Sequence, residues 1–385
     1  MSSRKALPRR AKRTSETQYD DTAIALVCHY LCEGMTASEI AHRITEAHGI
    51  PMNSQDPFRL IRRATREKHW LHFISPWDNR LSEIIHKTFD VNRVEVTLTS
   101  FVEDVAARAA FMILDLLREL RREPTNKSEV HIGFSGGHTT RKVFQKLAHL
   151  LVEPSDSLPD NIVCHALVAG FDAAAPGTDP TSFFTYLADR TTSVATSFVL
   201  FHAPPLVQSS QIGTLRASKP IEKAILLAKR LDVIVTSAAV FGDPHSQLKK
   251  NFLEYSPETV AGLERDGCIG DMLWLPISNN GPMDTSRYEY RPVTLIELDE
   301  LPERIACGQK VVLVLGPCAD PAQAQCELKS AILNTILKFH LEGKKYVTHL
   351  VIDKDTARDL IPKPLLAAHK AAAASAVTTA PVTSP

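Results

Sequence analysis

The sequence predicts an α/β protein in two parts, a small helical unit at the amino end and a larger unit built on a parallel β-sheet. Three observations carry this. Three short amphipathic stretches fill residues 19–75, and after residue 125 continuous apolar, β-branched runs alternate with helical stretches. The chain's 385 residues, 44% of them hydrophobic, are also more than one core commonly organises at roughly 100–200 residues per domain. The composition excludes a wholly disordered chain.

The first unit begins after a basic arm. Residues 1–18 carry Arg4, Lys5, Arg9, Arg10, Lys12 and Arg13 with no acid before Glu16 and no apolar periodicity, and are expected to be disordered. From Asp20, a helix N-cap, DTAIALVCHYLCEG places Ile24, Val27, Cys28 and Leu31 on one face. MTASEIAHRITEAHG opens with Thr36 followed by Glu39, a capping box, and repeats apolar residues at Ile40, Ala41 and Ile44. A third helix starts at DPFRLIRR, with Asp56 as N-cap, Pro57 in the first turn, and Phe58, Ile61 and Ala64 turned inward. Its other face carries Arg59, Arg62, Arg63, Arg66 and Lys68. Residues 19–75 therefore read as a helix-turn-helix whose last helix would enter the major groove of DNA. A small bundle with a solvated basic face would carry the same pattern.

Residues 76–100 read as a connector, with a short helix at LSEIIHKTF and a strand at VNRVEVTL. Residues 101–365 form the second domain. It opens with a long amphipathic helix, FVEDVAARAAFMILDLLRELRRE, ending before Pro124. Strands are expected at 130–135, 161–170, 197–204, 231–240, 311–316 and 346–353, with helices such as TRKVFQKLAHLL and PIEKAILLAKRL between them. Continuous apolar strands alternating with helices indicate a parallel sheet covered on both faces. Residues 366–385 are Ala/Thr/Pro/Ser low complexity and expected to be disordered.

Charge divides along the same line. Lys and Arg balance Asp and Glu over the whole chain, 44 of each, but residues 1–75 hold 12 basic and 8 acidic residues. A basic head on a mildly acidic body suits a nucleic-acid-binding unit joined to a ligand-binding or catalytic one, although random scatter could give a difference this small. The seven cysteines form no C-x-x-C pair and no zinc spacing, so reduced thiols and no metal are expected. Cys28 and Cys32, four apart, read as a buried apolar pair in preference to a redox switch. No run approaches the ~18 apolar residues of a membrane helix, and the basic amino end lacks a signal-peptide core, so the expected location is cytoplasmic, with no membrane partner.

Between strand VHIGF and the next helix stands GFSGGHTT. Gly136 and Gly137 permit close backbone approach, while Ser135, Thr139, Thr140 and the amides of the helix start can donate to an anion. A phosphate fits such a loop, as does a plain tight turn. With neither G-K-[ST] nor G-x-G-x-x-G, a nucleotide is not implied. His138 would add charge to a phosphate contact if protonated, or simply face solvent. Asp271, after the Gly-rich GCIGD, could accept from sugar hydroxyls or brace its own turn. Lys329, read within the helix CELKSAILNTILKFH, could serve an anion or a Schiff base, or merely extend its charge to water. Asp353 is expected to cap the last helix.

Taken in order, YLCEGMTASEIAHRI, LSEIIHKTFDVNRVEV, HIGFSGGHTT, FVLFHAP, DGCIGD, CELKSAILNTIL and HLVIDKDTA resemble the SorC family of bacterial transcriptional regulators over residues 22–361. The resemblance implies a helix-turn-helix before a sugar-phosphate-binding domain of the ribose-phosphate isomerase/CoA-transferase-like fold. It implies that Ser135, Gly136, Gly137, His138, Thr139 and Thr140 hold an effector's phosphate, that Asp271 binds sugar hydroxyls and that Lys329 is a second anion contact. Its partners would be a double-stranded DNA operator, a phosphorylated sugar and further copies of the chain in a dimer or tetramer, without a cofactor. DNA contacts are expected from Ser54, Arg59, Arg62, Arg63 and Arg66. Two segments depart from the family pattern: EAHGIPMNSQDPF lengthens the turn before the third helix, and TSAAVFGDP replaces a Gly-rich turn. The competing reading is a sugar-phosphate isomerase or aldolase-type enzyme on the same fold, with Asp271 as base and Lys329 as electrophile. No compact base and nucleophile pair is visible for it, and fold alone does not decide.

Overall fold

In a computed structural model the chain divides into two compact units, residues 1–73 and 74–385. The structure describes residues 19–66, 76–122, 124–152, 157–170, 176–188, 192–244, 246–317 and 329–361. The basic arm 1–18, the tail 366–385 and Lys68 lie outside them.

The described residues of the first unit form three helices around one small core. Helix α1 (Asp21–Cys32) is capped by Asp20, whose carboxylate accepts from the Ala23 amide at 2.9 Å. Helix α2 (Ala37–His48) carries the complete capping box: the Thr36 hydroxyl accepts from the Glu39 amide, and the Glu39 carboxylate from the Thr36 amide at 2.7 Å. Helix α3 spans Asp56–Arg66. Ile24, Val27, Ile40, Ile44, Leu60 and Ala64 meet in the centre. The inward face of α3 differs from the expected one. Leu60 and Ala64 are buried with Pro57, Ile61 is half-buried, and Phe58 is 66% exposed beside Arg59 and Arg62. With Pro57 turned inward, the positions three and seven residues on share its side, and Phe58 falls opposite. On α1, likewise, Ala23 joins the core while Leu31 lies at the surface. Cys28 is half-buried and Cys32 exposed, so they form no buried pair.

Among its described residues the second unit has thirteen strands: β1 (Arg93–Thr97), β2 (Glu129–Phe134), β3 (Asn161–Ala166), β4 (Ala195–Val199), β5 (Leu206–Gln208), β6 (Val233–Thr236), β7 (Ala238–Val240), β8 (Cys268–Met272), β9 (Leu275–Ser278), β10 (Gly281–Pro282), β11 (Tyr290–Pro292), β12 (Lys310–Leu315) and β13 (His349–Asp353). Seven form one parallel sheet in the order β1-β13-β12-β6-β2-β3-β4. Val311 to Leu315 are fully buried at every position, so side chains of both parities are covered, as the parallel-sheet reading requires.

Residues read as part of the connector belong to this unit. Asn79–Phe89 is helix α4, and β1 is an edge strand paired with β13 from Arg93↔His349 to Thr97↔Asp353. The long helix α5 (Val102–Arg121) packs on α6 (His138–Leu150). Two features depart from the sequence reading. The run 231–240 is not one strand: β6 pairs with β12 as far as Thr236↔Leu313, and after Ser237 the chain pairs with β8 instead. It thereby enters an antiparallel sheet, β10-β9-β8-β7, which the alternating pattern did not announce. Asp353 caps the last helix, Lys354–Leu360, as expected.

Candidate functional site

The chain runs outward on one side of β2 through β3 and β4, then returns to the other side at β6 and continues to β12. Open α/β sheets bind ligands beyond the strands' carboxyl ends at such a reversal. A cavity of about 310 Å³ lies there. The loop after β2 supplies Ser135 to Thr139, the break after β6 supplies Ser237 to Ala239, and Asp243, Gln247, Asp271, Trp274 and Lys329 complete the polar and aromatic lining.

The loop is held from below. The Ser135 amide donates to the Val235 carbonyl at 3.0 Å, and the Gly137 amide to the Thr178 carbonyl at 2.8 Å. Gly137, at φ 109°, is the N-cap of α6 and has no side chain to close the helix, so the first turn of α6, whose His138 and Thr139 line the cavity, has no side-chain cap. A Cβ at Gly136 would sit 2.8 Å from the Thr178 carbonyl oxygen, so only glycine fits between them. Two of the amides that a phosphate loop would offer are thus spent on the scaffold.

Asp271 lies within β8, not in a turn, and the brace for its own turn does not apply. It is 5% exposed, its Oδ2 meets no partner among the described residues, and burial raises its pKa to about 7 although the nearby charge of Lys329 pulls the other way. An unpaired buried acceptor is costly unless a donor arrives. Lys329 is not inside a helix but stands at the position just before Ser330–Leu341, with no capping hydrogen bond from its side chain.

The structure therefore gathers Ser135, Gly136, Gly137, His138, Thr139, Asp271 and Lys329 around one space. Thr140 is separate: it is buried, and its hydroxyl lies 3.4 Å from the Ser135 hydroxyl behind the loop. Sequence reasoning missed Ser237, Asp243, Gln247 and Trp274. The departing segment TSAAVFGDP marked the first two; Trp274, inside the apolar run MLWLPI, reads as ordinary core.

In the helical unit, Ser54, Arg59 and Arg62 are exposed and Arg63 is half-buried. Two of the arginines also serve the fold. Arg59 pairs with the Asp56 carboxylate at 2.8 Å, and Arg63 donates to the Tyr19 carbonyl at 3.0 Å. Arg66 closes α3, and its side chain lies outside the described residues.

No family model and no curated protein matches the sequence. Solved structures do. The full-length sorbitol operon regulator SorC from Klebsiella pneumoniae superposes with a TM-score of 0.59 at 17% identity, covering 89% of this chain and 99% of that one. A DeoR family transcriptional regulator from Listeria monocytogenes gives 0.54 at 17% identity over 73% and 98% of the two chains. A domain of a possible sugar-binding transcriptional regulator from Arthrobacter aurescens TC1 gives 0.53 at 16% identity over 75% and 100%. The chain has the fold of the full-length regulator, a helix-turn-helix unit and a mixed α/β unit on a parallel sheet. Among the described residues no helix is long and apolar enough to cross a membrane.

Proposed function

We propose that this chain is a DNA-binding transcriptional regulator of carbohydrate-metabolism genes, controlled by a phosphorylated sugar bound in the cavity of the second unit. The observation that carries this is the convergence of the 135–139 loop, Asp271 and Lys329 at the reversal point of the sheet. The first-turn amides of α6, Ser135 and Thr139 take the phosphate, with Lys329 and His138 as cationic contacts. Asp271 accepts from a sugar hydroxyl and thereby fills its empty hydrogen-bonding capacity. In the first unit Arg62 and Arg59, with Ser54, Arg63 and Arg66, contact the operator, dividing between phosphates and base edges. The structural neighbours include a sorbitol operon regulator and a possible sugar-binding transcriptional regulator, which supports the same reading.

Such a protein works in the cytoplasm as a homo-oligomer, dimer or tetramer, on two half-sites. It needs neither catalysis nor a cofactor. Regulation requires only that the sugar phosphate bind the DNA-competent and DNA-incompetent states unequally, by about 1–3 kcal/mol.

A thermal-shift screen against sugar phosphates, with inorganic phosphate and the unphosphorylated sugars as controls, tests the reading. A true effector at a hundredfold excess over Kd stabilises the native state by about 2.7 kcal/mol. A selective shift lost in Thr139→Ala is the expected result. A flat response across the panel overturns the sugar-phosphate assignment.

A further inference from the structure

The two residues that join β8 to β9, Leu273 and Trp274, have φ of 56° and 61°. A two-residue hairpin with both residues left-handed is ordinarily made by Asn-Gly, because large side chains are strained there. Glycine at 274 would make the same turn with less strain. The strained position places the indole in the cavity wall, 6% exposed, next to the anion loop.

The surroundings are cut to fit the ring. A Cβ at Gly136 would lie 3.1 Å from Trp274 Cζ2, and one at Gly170 would lie 2.9 Å from Cη2. Gly170 has no left-handed backbone to account for it, so what its missing side chain provides is room for the indole. Two glycines from separate loops thus make room for one aromatic ring. The remaining space, about 310 Å³, is at the small end of the ~300–1,000 Å³ range of ligand pockets.

We propose that Trp274 is the specificity-determining residue of this cavity: its indole, packed closely against Gly136 and Gly170, limits the ligand to a compact phosphorylated carbohydrate and excludes longer chains. The proposal rests on the sugar-phosphate reading above. It extends that reading, because neither the anion loop nor Asp271 measures the length of what lies between them.

Two substitutions move the wall in opposite directions. Trp274→Gly keeps the turn and removes the ring. Gly170→Ala adds a methyl group that pushes the indole towards the cavity. Both variants and the wild type are titrated calorimetrically with dihydroxyacetone phosphate, ribose 5-phosphate and fructose 6-phosphate, after a melting curve confirms the fold of each. The expected result is a shift of at least tenfold in the affinity ratio of the six-carbon to the three-carbon probe towards the longer ligand in Trp274→Gly. Gly170→Ala shifts the ratio the other way, and it alone suffices if Trp274→Gly does not fold. Ratios unchanged from wild type overturn the selecting role of Trp274 and leave the sugar-phosphate reading standing. Absence of binding by all three proteins overturns both.

Discussion

Each unit buries a carboxylate to nearly the same depth, and the two are treated in opposite ways. Asp56 in the helical unit accepts from the Tyr19 hydroxyl at 2.7 Å, the Asn53 amide at 2.9 Å and the Arg59 guanidinium at 2.8 Å. Asp271 in the α/β unit keeps an oxygen without a partner among the described residues, and its pKa climbs to about 7 through burial. The first carboxylate is a fastening: it ties the start of α3 to Tyr19, two residues before α1, and burial together with that hydrogen bond pushes the Tyr19 hydroxyl up to about 12. The second is held open at a cost to stability. Groups kept in that state mark places where a ligand completes the hydrogen bonding.

The largest effect that can break this contrast is the pH dependence of Asp271. Between about pH 4 and pH 7 the folded chain retains a proton there that the unfolded chain has released. Stability of the unliganded protein therefore falls as pH rises through this window, by about 1.4 kcal/mol per unit from this group, and levels off above it. In Asp271→Asn that component disappears. Denaturant midpoints of wild type and variant, measured from pH 4 to pH 8, should diverge with pH; parallel curves would mean that Asp271 is satisfied after all.

Next in size is Asp56→Ala, which strands the Asn53 amide, removes the carboxylate from Arg59 and leaves the Tyr19 hydroxyl only the Pro51 carbonyl at 3.0 Å, and should destabilise the helical unit by about 3 kcal/mol. A clear drop in the denaturant midpoint for loss of helix signal in the intact chain would show it, and Tyr19→Phe should give about a third of the effect.

The arginines of α3 sharpen the comparison on the DNA side. Arg62→Ala should leave the melting temperature alone and cost about 1–3 kcal/mol of operator affinity if it reads a base, or lower the salt slope by about one if it holds a phosphate. Arg63→Ala should lower stability as well, because Arg63 holds the Tyr19 carbonyl. Equal effects of the two on stability would contradict this division. The smallest expected change is Thr36→Ala, about 1 kcal/mol from the lost α2 cap, readable as a shift in melting of the helical unit.

What was legible in the sequence follows the range of the forces involved. The caps of α1 and α2 and of the last helix rest on contacts two or three residues apart, and Asp20, Thr36 and Asp353 serve where local chemistry puts them. The parallel sheet was legible because strands buried on both faces must be apolar throughout. The antiparallel sheet was not, since what ends β6 at Ser237 is the competing partner β8, some thirty residues on. The inward face of α3 was misjudged at Phe58, a large apolar residue that the geometry of Pro57 and Leu60 turns to the surface. Among cavity residues, those in a glycine-rich loop announced themselves. Trp274 did not, because nothing local distinguishes an apolar residue in a strained turn from one in a strand.

On the function proposed above, the cavity of the second unit controls the DNA affinity of the first. The direct measurement is fluorescence anisotropy of the full-length protein on an operator fragment selected from genomic DNA, with and without a saturating amount of the sugar phosphate that stabilises the protein. Operator affinity should change by between about five- and 150-fold, in either direction, and Thr139→Ala should abolish the change. Operator affinity that stays the same at saturating ligand would contradict it.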